Sequence, residues 1–83
     1  METDSSALLE NLDKIHTTEL GVERIKNNLG LKVDDVVAWC KTALCDTRCV
    51  IRRTGKNWYA NGDSWEITIN AQSYTIITAH RRK

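Results

Sequence analysis

Asn61-Gly62-Asp63-Ser64-Trp65-Glu66-Ile67-Thr68-Ile69-Asn70 is a turn signal followed by a strand. Trp65, Ile67 and Ile69 alternate with Glu66, Thr68 and Asn70, and a period of two gives an extended segment one apolar and one polar face. Asn-Gly-Asp ahead of it favours the backbone geometry of a chain reversal. Upstream, Cys49 to Arg53 is β-prone, Thr54-Gly55-Lys56 reads as a tight connection, and Asn57 to Ala60 reads as the returning strand of a hairpin. Downstream, Tyr74 to His80 reads as a last strand. The C-terminal half is therefore expected to be a four-stranded antiparallel meander, with Arg81-Arg82-Lys83 as a basic tail.

Ahead of Asp46 the period changes to that of helices. Leu8, Leu9, Leu12 and Ile15 fall on one side of a helix from about Ser6 to Ile15, with Asp4, Ser5 and Ser6 able to cap it. Thr17-Thr18-Glu19 offers a second N-cap and an acidic first turn, Val22, Ile25 and Leu29 repeat at helical spacing, and Gly30 supplies a stop. Val33, Val36, Val37, Cys40 and Leu44 mark a third helix, with Asp34 and Asp35 where the helix dipole favours negative charge. Trp39 flanks that stripe and is expected to cover the edge of the core. Helices followed by strands argue for an α+β fold: three N-terminal helices packed on one face of a four-stranded antiparallel meander. One domain is expected over residues 1–83, frayed at 1–5 and 81–83.

An 83-residue chain lies near the lower size at which one core holds a fold together. Phe is absent, so Trp39, Trp58, Trp65, Tyr59 and Tyr74 supply all the aromatic area and several of them must anchor the core. The polar, acidic opening Met1 to Ser6 is unlike a signal peptide, and no run approaches the ~20 apolar residues of a membrane-spanning helix. The expectation is a soluble, cytoplasmic protein with no membrane contact. Cys40, Cys45 and Cys49 lack a C-x-x-C spacing, and zinc would need a distant fourth ligand, His16 or His80. Reduced thiols, no metal and no cofactor are expected, with Cys40 acting as a small core hydrophobe.

The last hairpin leaves a register open. An even loop puts Tyr74, Ile76 and Thr78 in the core; an odd loop buries Thr75, Ile77 and Ala79 and gathers Tyr74, Thr78 and His80 beside Glu66, Thr68 and Asn70. Side-chain volume favours the even loop.

Charge is divided unevenly along the chain. Residues 1–46 hold nine acidic and five basic side chains, net −4, and residues 47–83 hold seven basic and two acidic ones, net +5, so the overall +1 hides a basic sheet on an acidic helical layer. Such a sheet suits an anionic partner, RNA or another polyanion. Arg48, Arg52, Arg53 and Lys56 around the first hairpin, interleaved with Trp58 and Tyr59, are the candidate nucleic-acid contacts, joined by Arg81 and Arg82. Edge-strand protection competes as an account of those charges. His80 is the candidate catalytic acid or base, against the reading of a surface histidine at a strand end. His16, Arg24 and Tyr74 are secondary candidates; His16 also suits a helix C-terminus and Arg24 a solvated ion pair.

Ile15-His16-Thr17-Thr18-Glu19-Leu20-Gly21-Val22-Glu23-Arg24-Ile25, Asp34-Asp35-Val36-Val37-Ala38-Trp39-Cys40-Lys41 and Asn70-Ala71-Gln72-Ser73-Tyr74-Thr75-Ile76-Ile77-Thr78-Ala79-His80 resemble a family of small bacterial proteins catalogued as a domain of unknown function. The resemblance spans nearly the whole chain and implies a bacterial or phage origin. At the level of element order, with the Ile-Ile-Thr-Ala-His-Arg-Arg ending, the layout is similar to small RNases such as barnase, the colicin nuclease domains and RelE-type toxins. That likeness implies contact with RNA and leaves enzymatic activity open. The alternative is a protein-interaction module, such as a phage- or plasmid-encoded inhibitor or regulator docking on a host protein. Self-association through open sheet edges is a third option, and the sequence leaves oligomeric state undefined.

Overall fold

A computed structural model describes residues 5–81, with side chains from residue 7 onward. Asp4 as a cap, and Arg82 and Lys83 of the basic tail, lie outside the described residues. Within them the chain is α+β: α1 (Ser5–Glu10), a 3₁₀ turn (Leu12–Lys14), α2 (Glu19–Leu29), α3 (Val36–Leu44), then β1 (Val50–Thr54), β2 (Asn57–Asn61), β3 (Trp65–Asn70) and β4 (Ile76–Arg81).

The first helix is shorter than its apolar spacing suggests, because Asn11 interrupts it. The Asn11 amide Nδ2 donates to the Ala7 carbonyl at 2.8 Å, a local side-chain bond that competes with helix continuation, and the chain tightens into the 3₁₀ turn. Leu8 and Ile15 are buried, whereas Leu9 is exposed. Among the described residues two full helices and a short one therefore accompany the sheet. Among helix–strand contacts those of α2 with β4 dominate, and α1 meets β1.

α2 is bounded as its caps dictate. Thr18 accepts from the Gly21 N–H at 3.0 Å, and Gly30 takes a left-handed φ of 66° while its N–H and that of Leu31 return to the Lys26 carbonyl. Gly21, Ile25 and Leu29 repeat every four residues on its buried side. Replacing Thr18 by alanine is expected to lower stability by about 1 kcal/mol, read as an earlier urea midpoint; an unchanged midpoint would show that the cap carries no load. α3 starts three residues later than the valine spacing implies. Asp35 takes the N-cap position, accepting from the Ala38 N–H at 3.0 Å, so Val33 is left outside the helix and exposed. Val36, Cys40 and Leu44 then form its buried row.

The sheet is the expected antiparallel meander, in the order β1-β2-β3-β4. Gly55, at a φ of 61°, and Lys56 form a two-residue turn between the paired Thr54 and Asn57. Trp58 and Ala60 on β2, Ile67 and Ile69 on β3, and Ile76 and Ala79 on β4 join Leu8, Ile25, Leu29, Val36, Cys40 and Leu44 in one buried cluster. Trp39 meets Trp65 edge to face, with centroids 6.2 Å apart, and closes the rim of that cluster.

Neither regular register of the last hairpin occurs. Thr68 pairs with Thr78 but Ile69 pairs with Ile76, so Ile77 is one extra residue and β4 carries a β-bulge. The bulge resolves a conflict that no regular strand can, since it lets Ile76 and Ala79, three residues apart, both point into the core. Ile76 is buried as the even loop expects. From Thr78 onward that expectation fails, and Thr78 and His80 lie on the other face.

The start of β4 is latched by the segment before α2. His16 N–H donates to the Tyr74 carbonyl at 3.2 Å, Ile76 N–H donates to the His16 carbonyl at 2.8 Å, and the Thr17 hydroxyl donates to the Ile76 carbonyl at 3.0 Å. Further along, Asn28 Nδ2 donates to the Ala79 carbonyl at 3.1 Å. Among the described residues β1 pairs with β2 alone and has no such latch.

Candidate functional site

The sheet face that does not enter the core is laid out in cross-strand rows. One row runs Val50, Asn61, Glu66, His80, and the next runs Arg52, Tyr59, Thr68, Thr78; Thr54, Asn57 and Asn70 begin a third. Apart from Val50, these side chains are polar or, in Tyr59, aromatic with a hydroxyl. Thr68 is only 8 % exposed at the centre, and Arg52 and His80 are exposed at the flanks. Asn57 Nδ2 donates to the Tyr59 hydroxyl oxygen at 3.4 Å, bracing the ring.

His80 is directly opposite Glu66, with Nε2 3.3 Å from Oε1. Both side chains retain exposure, 48 % and 29 %. This adjacency is a product of the bulge, which sets the parity of β4 from Thr78 onward. A carboxylate beside an imidazole can exchange a proton with a bound hydroxyl. Transesterification of RNA also needs a cation on the phosphorane. Arg52 and His80 stand on β1 and β4, three strand spacings or about 14 Å apart at the backbone, too far to hold one phosphate together.

The cations do not gather on a single face. Arg48 lies 3.6 Å from the Asp46 carboxylate and 3.3 Å from that of Asp63, all at the surface. The Arg48 backbone N–H, which donates to Asp46 Oδ1 at 2.8 Å, and then the Arg48 guanidinium hold that carboxyl below its usual pKa. Arg52 is on the polar face, and Arg53, the next residue, is on the core side of β1 with its guanidinium carbon 5.8 Å from the Trp58 ring centroid. Lys56 sits in the β1–β2 turn. Arg81 pairs with Trp65 and reaches Gly30, where a Cβ would stand 3.8 Å from its Nη2; this places a positive charge at the C-terminus of α2. Arg24 is exposed on α2, away from the sheet rows.

His16 closes the turn before it and does more. Its Nδ1 is 2.9 Å from the Lys14 carbonyl oxygen, which can only accept, and its Nε2 is 3.0 Å from the Thr75 hydroxyl. Thr75 Oγ1 meets Ser73 Oγ at 2.8 Å, and Ser73 Oγ donates to Asn70 Oδ1 at 3.2 Å. This hydroxyl chain braces the β3–β4 loop. Tyr74, inside that loop, has a left-handed φ of 63° and lays its ring on Trp58 at 5.3 Å, with Lys14 Nζ 5.6 Å from the ring centroid. It is part of the lid over the core and not of the polar face.

The cysteines are unpaired thiols. Burial pushes Cys40 up to about 12, and burial, then the charges of Asp46 and Cys45, push Cys49 up to about 11, so neither is an activated nucleophile. Among the described residues no three His, Cys, Asp or Glu side chains gather as metal ligands, and no helix is long and apolar enough to cross a membrane.

Two side chains carry more than their sequence signal suggested. The sequence sets Glu66 beside His80 only under the odd loop and gives it no role, and it offers Tyr59 only as an aromatic interleaved with the arginines. Pairing across strands assigns Glu66 to His80 and Tyr59 to Arg52.

Fold and face together define a small α+β domain whose four-stranded antiparallel sheet turns a polar, partly exposed surface away from the core. The chain belongs to the family described as a protein of unknown function, DUF3781, whose model matches residues 9–80. No curated protein and no solved structure matches the chain.

Proposed function

We propose that the polar sheet face binds single-stranded RNA laid across the strands. The observation that carries this reading is the direct opposition of Arg52 and Tyr59 on that face: a guanidinium for a phosphate beside an aromatic ring for a base. The row continues past the nearly covered Thr68 into Thr78, a hydroxyl suited to a ribose 2′-hydroxyl or a base edge. His80 and Glu66 lie at the far end, where a protonated imidazole would meet a second phosphate. The separation of Arg52 from His80 suits several nucleotides in sequence and does not suit one reacting phosphate, so the reading is binding and not cleavage.

The test is anisotropy of a labelled single-stranded RNA at two salt concentrations. Affinity is expected to fall with salt, and Arg52→Ala and Tyr59→Ala are each expected to weaken binding about tenfold, because each removes a phosphate pair or a stacking platform. Both variants should unfold near the wild-type temperature, which separates lost binding from lost fold. Absence of salt-sensitive binding, or wild-type affinity in both variants, rejects the proposal. In that case the protein-interaction alternative gains, since Arg48 already faces two aspartates and Arg52 and Arg53 take opposite faces of β1.

A further inference from the structure

We infer that Cys45 and Cys49 are a reversible dithiol–disulfide pair, open to exchange with a small disulfide of the glutathione type. Both side chains line one cavity of about 410 Å³, walled by Leu9 and Leu12 from the first helical segment, Leu44 at the end of α3 and Ile51 on β1. Both are free thiols, Cys45 exposed and Cys49 partly covered. The segment between them is pinned by its own hydrogen bonds. Cys49 N–H donates to the Asp46 carbonyl at 2.9 Å, Arg48 N–H donates to Asp46 Oδ1 at 2.8 Å, and Cys45 N–H donates to the Thr42 carbonyl at 3.1 Å. The Arg48 guanidinium in turn reaches the Asp63 carboxylate at 3.3 Å, which ties this turn to the loop ahead of β3.

A disulfide needs Cα atoms about 4–7 Å apart, with the two Cβ atoms turned toward each other. Residues four apart in an extended chain stand about 13 Å from each other, far outside that range. The bond from Cys49 N–H to the Asp46 carbonyl instead folds residues 46–49 into a turn, whose ends lie within about 7 Å. The shared cavity brings both side chains to one space. After burial and the Asp46 charge, the charge of Cys45 acts on Cys49, a second sign that the two sulfurs are neighbours. Closure over so few residues costs little chain entropy, so each thiol meets the other at high local concentration.

Exchange runs in two steps. The exposed Cys45, as thiolate, attacks one sulfur of oxidised glutathione; the S–S bond of glutathione breaks, a mixed disulfide forms on Cys45, and one glutathione leaves as its thiolate. Cys49, its proton given up to solvent, then attacks the Cys45 sulfur and releases the second glutathione. The protein loses two electrons and two protons, and one oxidised glutathione becomes two reduced ones. Burial, ahead of the neighbouring charges, keeps the Cys49 thiol protonated, so the second step is slow and the populations are read at equilibrium. Once closed, the bond joins the end of α3 to the entry of β1 beside the cavity.

The test equilibrates the full chain with reduced and oxidised glutathione at graded ratios, quenches with acid, unfolds and alkylates the remaining thiols, and maps the peptides by mass. The expected product is a monomer lacking two hydrogens, with an internal Cys45–Cys49 bridge and with Cys40, 0 % exposed in the core, still a thiol. Excess reduced glutathione should return the bridge to two thiols. Cys49→Ser is expected to stop at a glutathione adduct on Cys45, and Cys45→Ser to lose the bridge altogether. A wild-type protein that stops at the Cys45 adduct, bridges Cys40, links two chains, or stays fully reduced at every ratio overturns the pair. The wild-type map decides the question by itself, so it stands even if either serine variant folds poorly.

Discussion

Replacing Trp58 by alanine is expected to cost about 3–5 kcal/mol, enough to unfold much of the protein at moderate temperature. Among the described residues Trp58 is the largest fully buried side chain, 2 % exposed, paired across the sheet with Ile69 and in tilted contact with Tyr74. Removing it leaves a cavity that the sheet backbone cannot close. For a domain of this size the melting temperature should fall by about 15–25 °C. Trp58→Phe is the informative companion. Among the described residues the indole Nε1 has no hydrogen-bond partner, so phenylalanine forfeits volume but no hydrogen bond and should cost only about 1–2 kcal/mol. Urea unfolding followed by circular dichroism measures both. If the phenylalanine variant is as unstable as the alanine variant, the indole N–H is engaged after all.

The second large effect separates two neighbours of identical chemistry. Ile76→Ala should cost about 2–5 kcal/mol, whereas Ile77→Ala should stay within about 1 kcal/mol. Ile76 is 1 % exposed in the core and Ile77, the inserted residue of the bulge, is 41 % exposed. An uninterrupted strand of either parity would bury one isoleucine but could not also seat Ala79 beside Ile76. Equal costs at the two positions would mean that β4 pairs in another register, and the Glu66–His80 pairing would be lost with it.

That bulge also marks where the sequence stops being legible. The strand Trp65 to Asn70 declares its faces because its alternation is unbroken, and the turns at Gly55 and Asn61-Gly62-Asp63 declare the meander, so sheet order follows from local signals. Tyr74-Thr75-Ile76-Ile77-Thr78-Ala79 has no consistent alternation. Its register is settled by packing Ile76 and Ala79 under α2, a long-range demand that local pattern does not express. The break of the first helix at Asn11 and the late start of α3 at Val36 have the same origin in short polar side chains that capture backbone groups, Asn11 onto Ala7 and Asp35 onto Ala38. The candidate site was harder still. Net charge counts arginines but does not say which face each one takes, and consecutive residues of a strand take opposite faces, so Arg52 and Arg53 belong to different surfaces.

The edge-to-face pair of Trp39 and Trp65 gives the molecule a built-in optical gauge. One indole rides on α3 and the other begins β3, so their mutual orientation holds only while the helix is seated on the sheet. Near-ultraviolet dichroism from two chromophores at a 70° interplanar angle should vanish when α3 lifts away, even if the meander keeps its far-ultraviolet signature. Detachment of that helix can thus be followed separately from melting of the strands, without any added label.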